Sequence, residues 1–356
     1  MSSWQTFLHS QQASGLAEGG DPSADHRTIT QRVAIVDRSY RALLEATGRD
    51  RASWLHNLTT NQIKNLGRNE GVYAFALNNQ GRILFDLNVI NTADSLWLDM
   101  DERFHAVALK HLNKYIITEE VTLRDRTSEV VRIGLCGPGA AASLQSLGAP
   151  NARTMAALSL APVRWRNVTI PMIRHDFCGV FGVELFVPAD TAPELWKDLT
   201  STSRSDHAVP VAEDAIQIRR IEAGIPWPGF EITDEYLPAE TRHLDRAVSY
   251  TKGCYLGQEV VERMRSRHVV ARLLTALHID GDVVSPPGAR LYTDANQAVG
   301  VLTSSCHSIA LNRVIGLGYV KASSASPGTN VQLAWDELDG PHTTKAKVVE
   351  LPSASA

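Results

Sequence analysis

The chain has 356 residues, 44% of them apolar and 21% charged, and its net charge at pH 7 is −4. This composition is ordinary for a globular protein, and the length suffices for about two to three domains. The charge argues against general electrostatic attraction to nucleic acid or anionic membranes, and no apolar run approaches the roughly 18 residues that a membrane span needs.

At the N-terminus, residues 1–32 are expected to form a flexible segment, because polar residues and glycines dominate around Gly15–Pro22. Met1–Gly20 shows no basic region followed by an apolar core, so no secretory signal is expected. A cytoplasmic location is therefore the expectation.

The first folded unit is expected to span residues 33–133 and to mix strands with helices. Tyr40–Ala46 fits either a strand or a short helix, since periodicity alone does not decide. Two apolar runs separated by Asn78–Gly81 predict a hairpin. The other expected elements are a helix opened by Gly48-Arg49-Asp50, strands at Val72–Leu77, Ile83–Ile90 and Leu96–Asp99, and a helix at Glu102–Asn113.

A second α+β unit is expected over residues 134–270, following a strand that begins at Val130. Its elements do not follow the regular βαβ order that marks a parallel sheet. The expected elements are strands at Val130–Leu135, Val163–Ile173 and Val180–Val187, and helices at Ala140–Leu147, Pro193–Leu199 and Val211–Arg220.

From residue 271 to residue 352, short apolar strands alternate with Pro- and Gly-containing turns, a pattern that predicts a small β-barrel. The fold class is accordingly α+β, with two α+β units followed by a C-terminal small β-barrel. The expected barrel strands are Leu273–Ile279, Ala298–Thr303, Val314–Val320, Asn330–Leu333 and Lys345–Glu350.

Several widespread motifs are absent from the sequence, among them the P-loop, the dinucleotide-binding Gly-x-Gly-x-x-Gly and the His-Glu-x-x-His of zinc proteases. Four cysteines are too widely spaced to predict a disulfide framework or a metal site. They are Cys136, Cys178, Cys254 and Cys306. Any cysteine with a chemical role is therefore expected to act alone, and three of the four are expected to be core residues.

The exception is Cys254, within the segment Lys252-Gly253-Cys254-Tyr255-Leu256-Gly257-Gln258-Glu259. It lies on a glycine-flanked loop just before a helical pattern, and both a helix N-terminus and the adjacent Lys252 favour a thiolate. The alternative is that Cys254 is a small buried apolar residue, like most free cysteines. Glu259 and Arg263 have the spacing of an ordinary ion pair on an exposed helix.

This segment resembles the signature of the YgfZ family of folate-binding proteins. These proteins are relatives of the glycine cleavage T-protein, an aminomethyltransferase, and have a role in iron–sulfur cluster assembly or repair. Shorter similarities extend over about residues 33–350, at Gly48–Arg51, Leu55–Asn61, Asn79–Asp86, Arg220–Pro226 and Leu237–Glu240. The resemblance implies a three-domain ring around a central site for tetrahydrofolate.

The resemblance also implies roles for individual residues. Glu222 matches the glutamate that recognises the pterin ring in T-protein relatives, and a carboxylate can accept two hydrogen bonds from such a ring. Cys254 would be the essential thiol. The other residues expected at the folate site are Lys252, Gly253, Tyr255, Gly257, Gln258, Glu259, Asn61, Trp227 and Arg263, with Phe230, Tyr236 and Arg242 as further candidates for the ring walls and the anionic tail.

One departure from the aminomethyltransferases lies in the first hairpin. Those enzymes carry two adjacent aspartates there, the first of which is implicated in catalysis, whereas this chain has Phe85-Asp86. Loss of the first carboxylate would remove the ionised group that assists aminomethyl transfer. The resemblance then implies a retained folate pocket without the glycine cleavage reaction.

The sequence thus predicts a tetrahydrofolate-binding accessory protein that supports iron–sulfur enzymes through Cys254, with iron–sulfur client or assembly proteins as partners. The alternative is a tetrahydrofolate-dependent transferase of aminomethyl or methyl groups, in which Asp86 replaces the missing acid. A third hypothesis is an interaction module whose pocket and cysteine no longer act. In the first two cases, tetrahydrofolate should bind with a Kd on the order of micromolar or tighter.

Overall fold

A computed structural model describes residues 3–12, 20–267, 270–338 and 340–352. Its helices are α1 (Ser3–Gln12), α2 (Pro22–Gln31), α3 (Arg51–Leu58), α4 (His105–Lys114), α5 (Ala140–Gln145), α6 (Ala192–Thr200), α7 (Glu213–Glu222), α8 (Leu244–Ala247) and α9 (Gln258–Arg267). Its strands are β1 (Ala34–Asp37), β2 (Arg41–Thr47), β3 (Gly71–Leu77), β4 (Ile83–Asn91), β5 (Leu96–Asp101), β6 (Thr122–Asp125), β7 (Val130–Cys136), β8 (Leu160–Trp165), β9 (Val168–Arg174), β10 (Gly182–Pro188), β11 (Val209–Pro210), β12 (Arg272–Ile279), β13 (Arg290–Tyr292), β14 (Ala298–Ser308), β15 (Arg313–Lys321), β16 (Asn330–Glu337) and β17 (Gly340–Val349).

The expected fold class is confirmed, because these strands form two sheets and one closed barrel. One sheet has the strand order β3-β4-β5-β2-β6, and the other has the order β11-β1-β7-β10-β9-β8. The barrel closes in the order β12-β15-β14-β13-β16-β17. Helices pack beside the two sheets, which makes the first two units α+β. None of the helices in the described ranges combines the length and apolar character needed to cross a membrane.

The five-stranded sheet is built from neighbouring antiparallel strands of residues 41–125. The ambiguous stretch at Tyr40–Ala46 is a strand, β2. The expected hairpin joins β3 to β4, and the Asn78 side chain accepts hydrogen bonds from the backbone N–H groups of Gln80 (2.9 Å) and Arg82 (3.0 Å). Gly81 completes this turn with a φ of +74°, a conformation that favours glycine.

The six-stranded sheet takes its first strand from the chain before the five-stranded sheet. β1 pairs in antiparallel fashion with β7 and in parallel fashion with β11. The five-stranded sheet is therefore an insertion between β1 and β7. As a result, the expected boundary between residues 133 and 134 falls inside β7.

Several regions differ from the expected elements, and strands β1, β6 and β13 were not predicted. The single strand expected over Val163–Ile173 is a hairpin of β8 and β9, which turns at Arg166 with a φ of +49°. Residues 3–12 and 22–31 are helical rather than loosely ordered, and Trp4 is buried against Trp196 with 5.6 Å between ring centroids. Most of the Gly15–Pro22 stretch lies outside the described residues.

The barrel is joined to the rest of the chain through buried polar contacts. Arg220 at the end of α7 forms an ion pair with Glu231 at 2.7 Å, and both side chains are almost fully buried. Thr303 of β14 donates a hydrogen bond to the same carboxylate at 2.7 Å. Because an unpaired charge would be costly at this depth, these contacts fix the barrel against the segment that follows α7.

Candidate functional site

A partly open cavity of about 70 Å³ lies between the two sheets. This volume is below the range of about 300–1,000 Å³ that small-molecule sites occupy, so a larger ligand would extend out of the cavity into solvent. Its walls come from β2, β3 and β4, from the loops after β1 and β9, and from the segment between α7 and α8. The lining residues are Arg38, Arg41, Tyr73, Asp86, Leu87, Asn88, His175, Asp176, Phe177, Ile225, Pro226, Trp227, Pro228, His243 and Arg246.

Strand alternation decides which residues of β4 face this cavity. Neighbouring side chains of a strand point to opposite faces of the sheet. Phe85 is fully buried in the apolar core of the five-stranded sheet, whereas Asp86 and Asn88 line the cavity. A carboxylate at position 85 would thus enter the core, and the chain keeps its carboxylate at the position that faces the cavity.

Asp86 is held by a neighbour on the adjacent strand. The Tyr73 hydroxyl donates a hydrogen bond to Asp86 Oδ2 at 2.8 Å. Burial raises the pKa of Asp86 above its usual value, and the Tyr73 hydrogen bond and the positive charge of Arg41 only partly oppose this effect. A raised pKa makes a carboxylate a stronger base, and a carboxyl group that faces a ligand can accept a proton and return it, as general acid–base catalysis requires.

Behind this surface, a buried carboxylate on β5 organises the cations around it. Asp99 is fully buried and accepts hydrogen bonds from Arg41 Nε and Nη2, both at 2.8 Å, and from Asn88 at 2.9 Å. Burial alone would raise the pKa of Asp99, but Arg132 and Arg41 reverse this and lower it. Asp99 is therefore an ionised anchor that fixes the orientation of Arg41.

A second buried carboxylate, Glu184 of β10, plays the same part in the other sheet. Arg132 joins the two sheets, since its guanidinium lies 2.5 Å from both Asp99 and Glu184. Arg38 forms a further ion pair with Glu184 at 3.2 Å, and His175 Nδ1 contacts the remaining oxygen. Burial opposes ionisation of Glu184, but Arg38 and Arg132 hold its pKa well below the usual value.

Two histidines of the cavity wall are held neutral by their surroundings. Burial lowers the pKa of His243 to about 4, and the charge of Arg246 adds to the effect. Burial also lowers the pKa of His175, against the influence of Glu184. A neutral imidazole has one donor and one acceptor, and because Glu184 engages Nδ1 of His175, only the Nε2 acceptor of that ring remains for a ligand.

The remaining walls are apolar and aromatic, with Phe177 and Trp227 both close to Arg38. The Arg38 guanidinium lies 4.1 Å from the ring centroid of Phe177 and 5.9 Å from that of Trp227. Flat apolar walls with a few fixed polar groups suit a planar ring with polar edges. Trp227 is the lining residue that the sequence also predicted for the folate site.

Glu222, the predicted pterin anchor, lies elsewhere. Its carboxylate accepts hydrogen bonds from the Ser308 hydroxyl at 2.7 Å and the Ala310 backbone N–H at 3.1 Å, both in the barrel. Its other oxygen contacts His26 at 2.9 Å and Arg219 at 2.5 Å. Both oxygens are thus engaged at the junction of α2, α7 and the barrel, away from the cavity wall.

Lys252 anchors the cysteine segment to the five-stranded unit. Its buried ammonium group donates to the backbone carbonyls of His56 (2.5 Å) and Asn61 (2.9 Å), and also to that of Thr59. Burial lowers the pKa of Lys252 to about 7, whereas the three carbonyl partners favour its charged form. All three N–H bonds are used, which leaves none for Cys254 or for a folate tail.

The residues after Cys254 are also anchored. Gly257 has a φ of +81°, and a Cβ there would lie 2.7 Å from the Asn78 carbonyl oxygen of the β3–β4 turn. Tyr255 is buried in an apolar cluster with Phe75 and Val261, and its backbone N–H contacts the Gln258 side chain at 3.3 Å. Through these contacts the segment packs against the β3–β4 hairpin.

Cys254 itself is exposed, which overturns the buried alternative, whereas Cys136, Cys178 and Cys306 are buried as expected. A Cβ at the adjacent Gly253 would meet no atom within 4 Å. The segment therefore presents its thiol to solvent, outside the cavity. Within the described ranges, no group of three or more His, Cys, Asp or Glu side chains is arranged to hold a metal ion.

The other predicted residues have structural partners. The Asn61 amide donates to the backbone carbonyls of Tyr73 and Arg246, both at 2.9 Å. Glu259 and Arg263 form an exposed ion pair at 2.6 Å on α9. Tyr236 stacks on Tyr319 of the barrel, with 3.6 Å between the ring centroids. None of these side chains is among the residues that line the cavity.

Sequence reasoning missed most of the cavity, although one signal was present. The polar residues Asp86, Asn88 and Asp99 alternate with apolar ones in strands that are otherwise buried. Such alternation indicates a second strand face with polar contacts. No local pattern points to His175 or Arg246, because the fold alone brings the loop after β9 and helix α8 to the cavity.

Comparison with known proteins gives matches along nearly the whole chain. The GCVT N-terminal domain matches residues 20–252, and the Glycine cleavage T-protein C-terminal barrel domain matches residues 272–353. An aminomethyltransferase from Chlorobium limicola is 26% identical over 318 residues, which cover 87% of this chain and 86% of that protein. One from Geobacillus kaustophilus is 27% identical over 335 residues, covering 92% and 89% respectively.

A solved structure has the same fold. The crystal structure of the glycine cleavage system aminomethyltransferase T from Bartonella henselae superposes with a TM-score of 0.84 and 22% sequence identity. The superposition covers 95% of this chain and 90% of that one. The likeness therefore includes both sheets and the barrel.

Proposed function

Since the chain belongs to the family of the GCVT N-terminal domain, we propose that it binds tetrahydrofolate in the central cavity and transfers a one-carbon unit to or from it. The unit would be an aminomethyl or a methyl group. This was the alternative hypothesis from the sequence, and the names of the relatives, aminomethyltransferases, support it more than an iron–sulfur role.

The orientation of Asp86 is the observation that carries this proposal. The sequence argument against transfer rested on the loss of an aspartate at position 85, but that side chain belongs to the core. Asp86 faces the cavity, with a raised pKa and a fixed hydrogen bond from Tyr73. The chain thus retains a carboxyl group where a ligand in the cavity can reach it.

Asp86 has a defined task in aminomethyl transfer. The reaction forms bonds from the methylene carbon to two folate nitrogens and breaks that carbon's bonds to the amino group and to the donor heteroatom. Two N–H protons leave the folate, one bound for the departing ammonia and one for the donor. Asp86 can accept a proton from a folate nitrogen and return it to a leaving group.

The types of side chain that line the cavity also suit the ring of a folate. Phe177 and Trp227 offer apolar faces for a pterin ring, and the neutral histidines offer hydrogen bonds to its edge. Asn88 is fixed by Asp99, so its amide lies in a set position on the same wall. We assign ring recognition to this wall in place of Glu222.

The proposal is tested by folate turnover. Purified protein with tetrahydrofolate and glycine-derived, sarcosine-like or sulfonium donors should form 5,10-methylene- or methyl-tetrahydrofolate. Asp86→Asn should lower that rate about 100-fold or more while folate binding stays within a few-fold. Asp94→Asn, which alters an exposed aspartate outside the cavity, is the matched control. Folate binding without turnover of any donor would count against the transferase.

A second candidate function rests on the exposure of Cys254. An anchored segment that presents a free thiol to solvent suits contact with another protein. This supports the tetrahydrofolate-binding accessory role of the YgfZ branch, in which Cys254 would act on iron–sulfur clients. The segment from Lys252 to Glu259, which resembles that branch, is the feature that favours it.

Crossed variants separate the two functions in cells. In a deletion strain, a transferase role predicts that Cys254→Ser restores folate-linked growth and that Asp86→Asn does not. An accessory role predicts the reverse for the activities of several iron–sulfur enzymes. Full rescue of both readouts by both variants would favour the interaction module.

A further inference from the structure

The cavity wall contains one guanidinium whose charge no carboxylate balances. Arg38 and Arg41 are paired with Glu184 and Asp99, and Asp176 is paired with Arg174 at 2.9 Å. Arg246, by contrast, has no carboxylate within ion-pair distance in the part of the chain that the structure describes. A ligand with an anionic group therefore meets an unmatched cation at this point of the wall.

The position of Arg246 is set by its contact with Tyr73. Its guanidinium carbon lies 4.9 Å from the centroid of the Tyr73 ring, in cation–π geometry. The same ring carries the hydroxyl that holds Asp86. The guanidinium is thus close to the reacting carboxyl group yet exposed to solvent, which is the position of a rim group.

The backbone around Arg246 is fixed by the neighbouring unit. Asn61 donates one amide hydrogen to the Arg246 carbonyl and the other to the Tyr73 carbonyl. The hydroxyl of Thr60 donates to the Ala247 carbonyl at 2.7 Å. Asn61, which the sequence placed in the folate site, therefore serves the cavity by joining the two residues whose side chains stack.

We propose that Arg246 binds a carboxylate of the glutamate tail of the folate ligand and so selects folates over pterins that lack this tail. This inference rests on the proposed function, because it takes the ligand of the cavity to be a folate. The solvent-exposed position favours the tail, which is the outward end of a ligand whose ring lies between the sheets. Of the tail candidates from the sequence, Lys252 and Arg263 are engaged by backbone carbonyls and by Glu259, and Arg242 is not among the residues that line the cavity.

The test compares two ligands by calorimetry on the full-length protein. Tetrahydrofolate carries the tail, and 6-methyltetrahydropterin keeps the ring without it. Arg246→Ala should weaken tetrahydrofolate binding about tenfold or more, as expected for a charge-assisted contact, and leave 6-methyltetrahydropterin binding within twofold. Arg246→Lys should retain part of the tetrahydrofolate affinity, because it keeps the charge.

Arg265→Ala is the matched control, since Arg265 is exposed on α9 and lies over Tyr250 outside the cavity. It should bind both ligands like the wild type. Unchanged tetrahydrofolate affinity in Arg246→Ala would overturn the proposal, and so would an equal loss for both ligands. The proposal would also be overturned if Arg246→Ala raised only the KM of a carboxylate-bearing donor such as sarcosine, because Arg246 would then bind the donor and not the folate tail. If the wild type bound neither ligand, the proposed function itself would fail.

Discussion

The cavity and the cysteine segment place their polar groups in opposite ways. Behind the cavity wall, Asp99 and Glu184 are fully buried and each is bound by several partners, of which Arg132 is common to both. In the cysteine segment, Lys252 is buried and bound, but Cys254, two residues later, is exposed. Chemistry in the cavity depends on a rigid enclosure, whereas chemistry at the thiol depends on access by another molecule.

The two sites also leave different traces in the sequence, one as a continuous motif and the other as scattered residues. The cysteine segment is continuous, and most of its residues hold the loop in place rather than contact a ligand. The cavity is assembled from single residues on many elements, and the carboxyl group of Asp86, which faces it, lies on a strand of the five-stranded sheet. A conspicuous motif therefore marks one site without marking the other.

The largest expected effect is at Glu184. Glu184→Ala should lower the free energy of unfolding by about 3–5 kcal/mol, because it leaves Arg38, Arg132 and His175 around an empty buried position. Urea denaturation followed by circular dichroism measures the change. The control is Glu259→Ala, an 85% exposed partner of Arg263, which should stay within about 0.5 kcal/mol. Equal losses of unfolding free energy in the two variants would mean that the buried ion pairs of Glu184 do not stabilise the structure around the cavity.

The second effect is a pH dependence that arises in the cavity. Burial lowers the pKa of His243 to about 4, while in an unfolded chain the pKa of this residue is near its ordinary value of 6.5. Between these values the unfolded state binds more protons, so stability falls as the pH drops from about 6.5 to about 4. The loss should reach up to about 3 kcal/mol.

Unfolding free energies measured at several pH values check this slope. His243→Gln should reduce this slope without abolishing it, because burial also lowers the pKa of His56 to about 4, and the exposed His307→Gln should leave the slope unchanged. A slope as steep in His243→Gln as in the wild type would assign the pH dependence to other groups.

A smaller effect is expected where the cysteine segment is anchored. Lys252→Met keeps the length of the side chain but leaves three backbone carbonyls without their donor, at a cost of about 2 kcal/mol. The nearby exposed Lys64→Met should change stability by less than about 0.5 kcal/mol. The midpoints of thermal unfolding of the two variants measure this difference. Indistinguishable midpoints would show that Lys252 does not anchor the segment.

The smallest effect is expected at the thiol. Cys254→Ser should alter the unfolding free energy by less than about 0.5 kcal/mol, because the side chain is exposed. Cys136→Ser places a hydroxyl in a fully buried position and should cost about 1–3 kcal/mol. Denaturation midpoints that rank the two variants the other way would show that Cys254 is packed and not presented.

Local patterns predicted the hairpin at Asn78–Gly81 and five of the six barrel strands because turn residues and alternation act over short stretches; the three-residue β13 was missed. They did not predict that β1 belongs to the second sheet, since strand pairing over long separations leaves no local trace. At the site, Trp227 was predicted and does line the cavity, but Glu222 pairs with the barrel. The sequence analysis had already singled out Asp86 as a possible acid. Only the structure shows on which face of β4 its side chain lies.

The insertion of the five-stranded sheet between β1 and β7 has a consequence for synthesis of the chain. On the ribosome, residues 41–125 contain every strand of that sheet and can pair as soon as they emerge. β1 is made earlier, yet its partners β7 and β11 are made only after the inserted sheet is complete. The cavity between the sheets therefore forms late in folding, since the six-stranded sheet on one side of it cannot form until β1 pairs with β7 and β11.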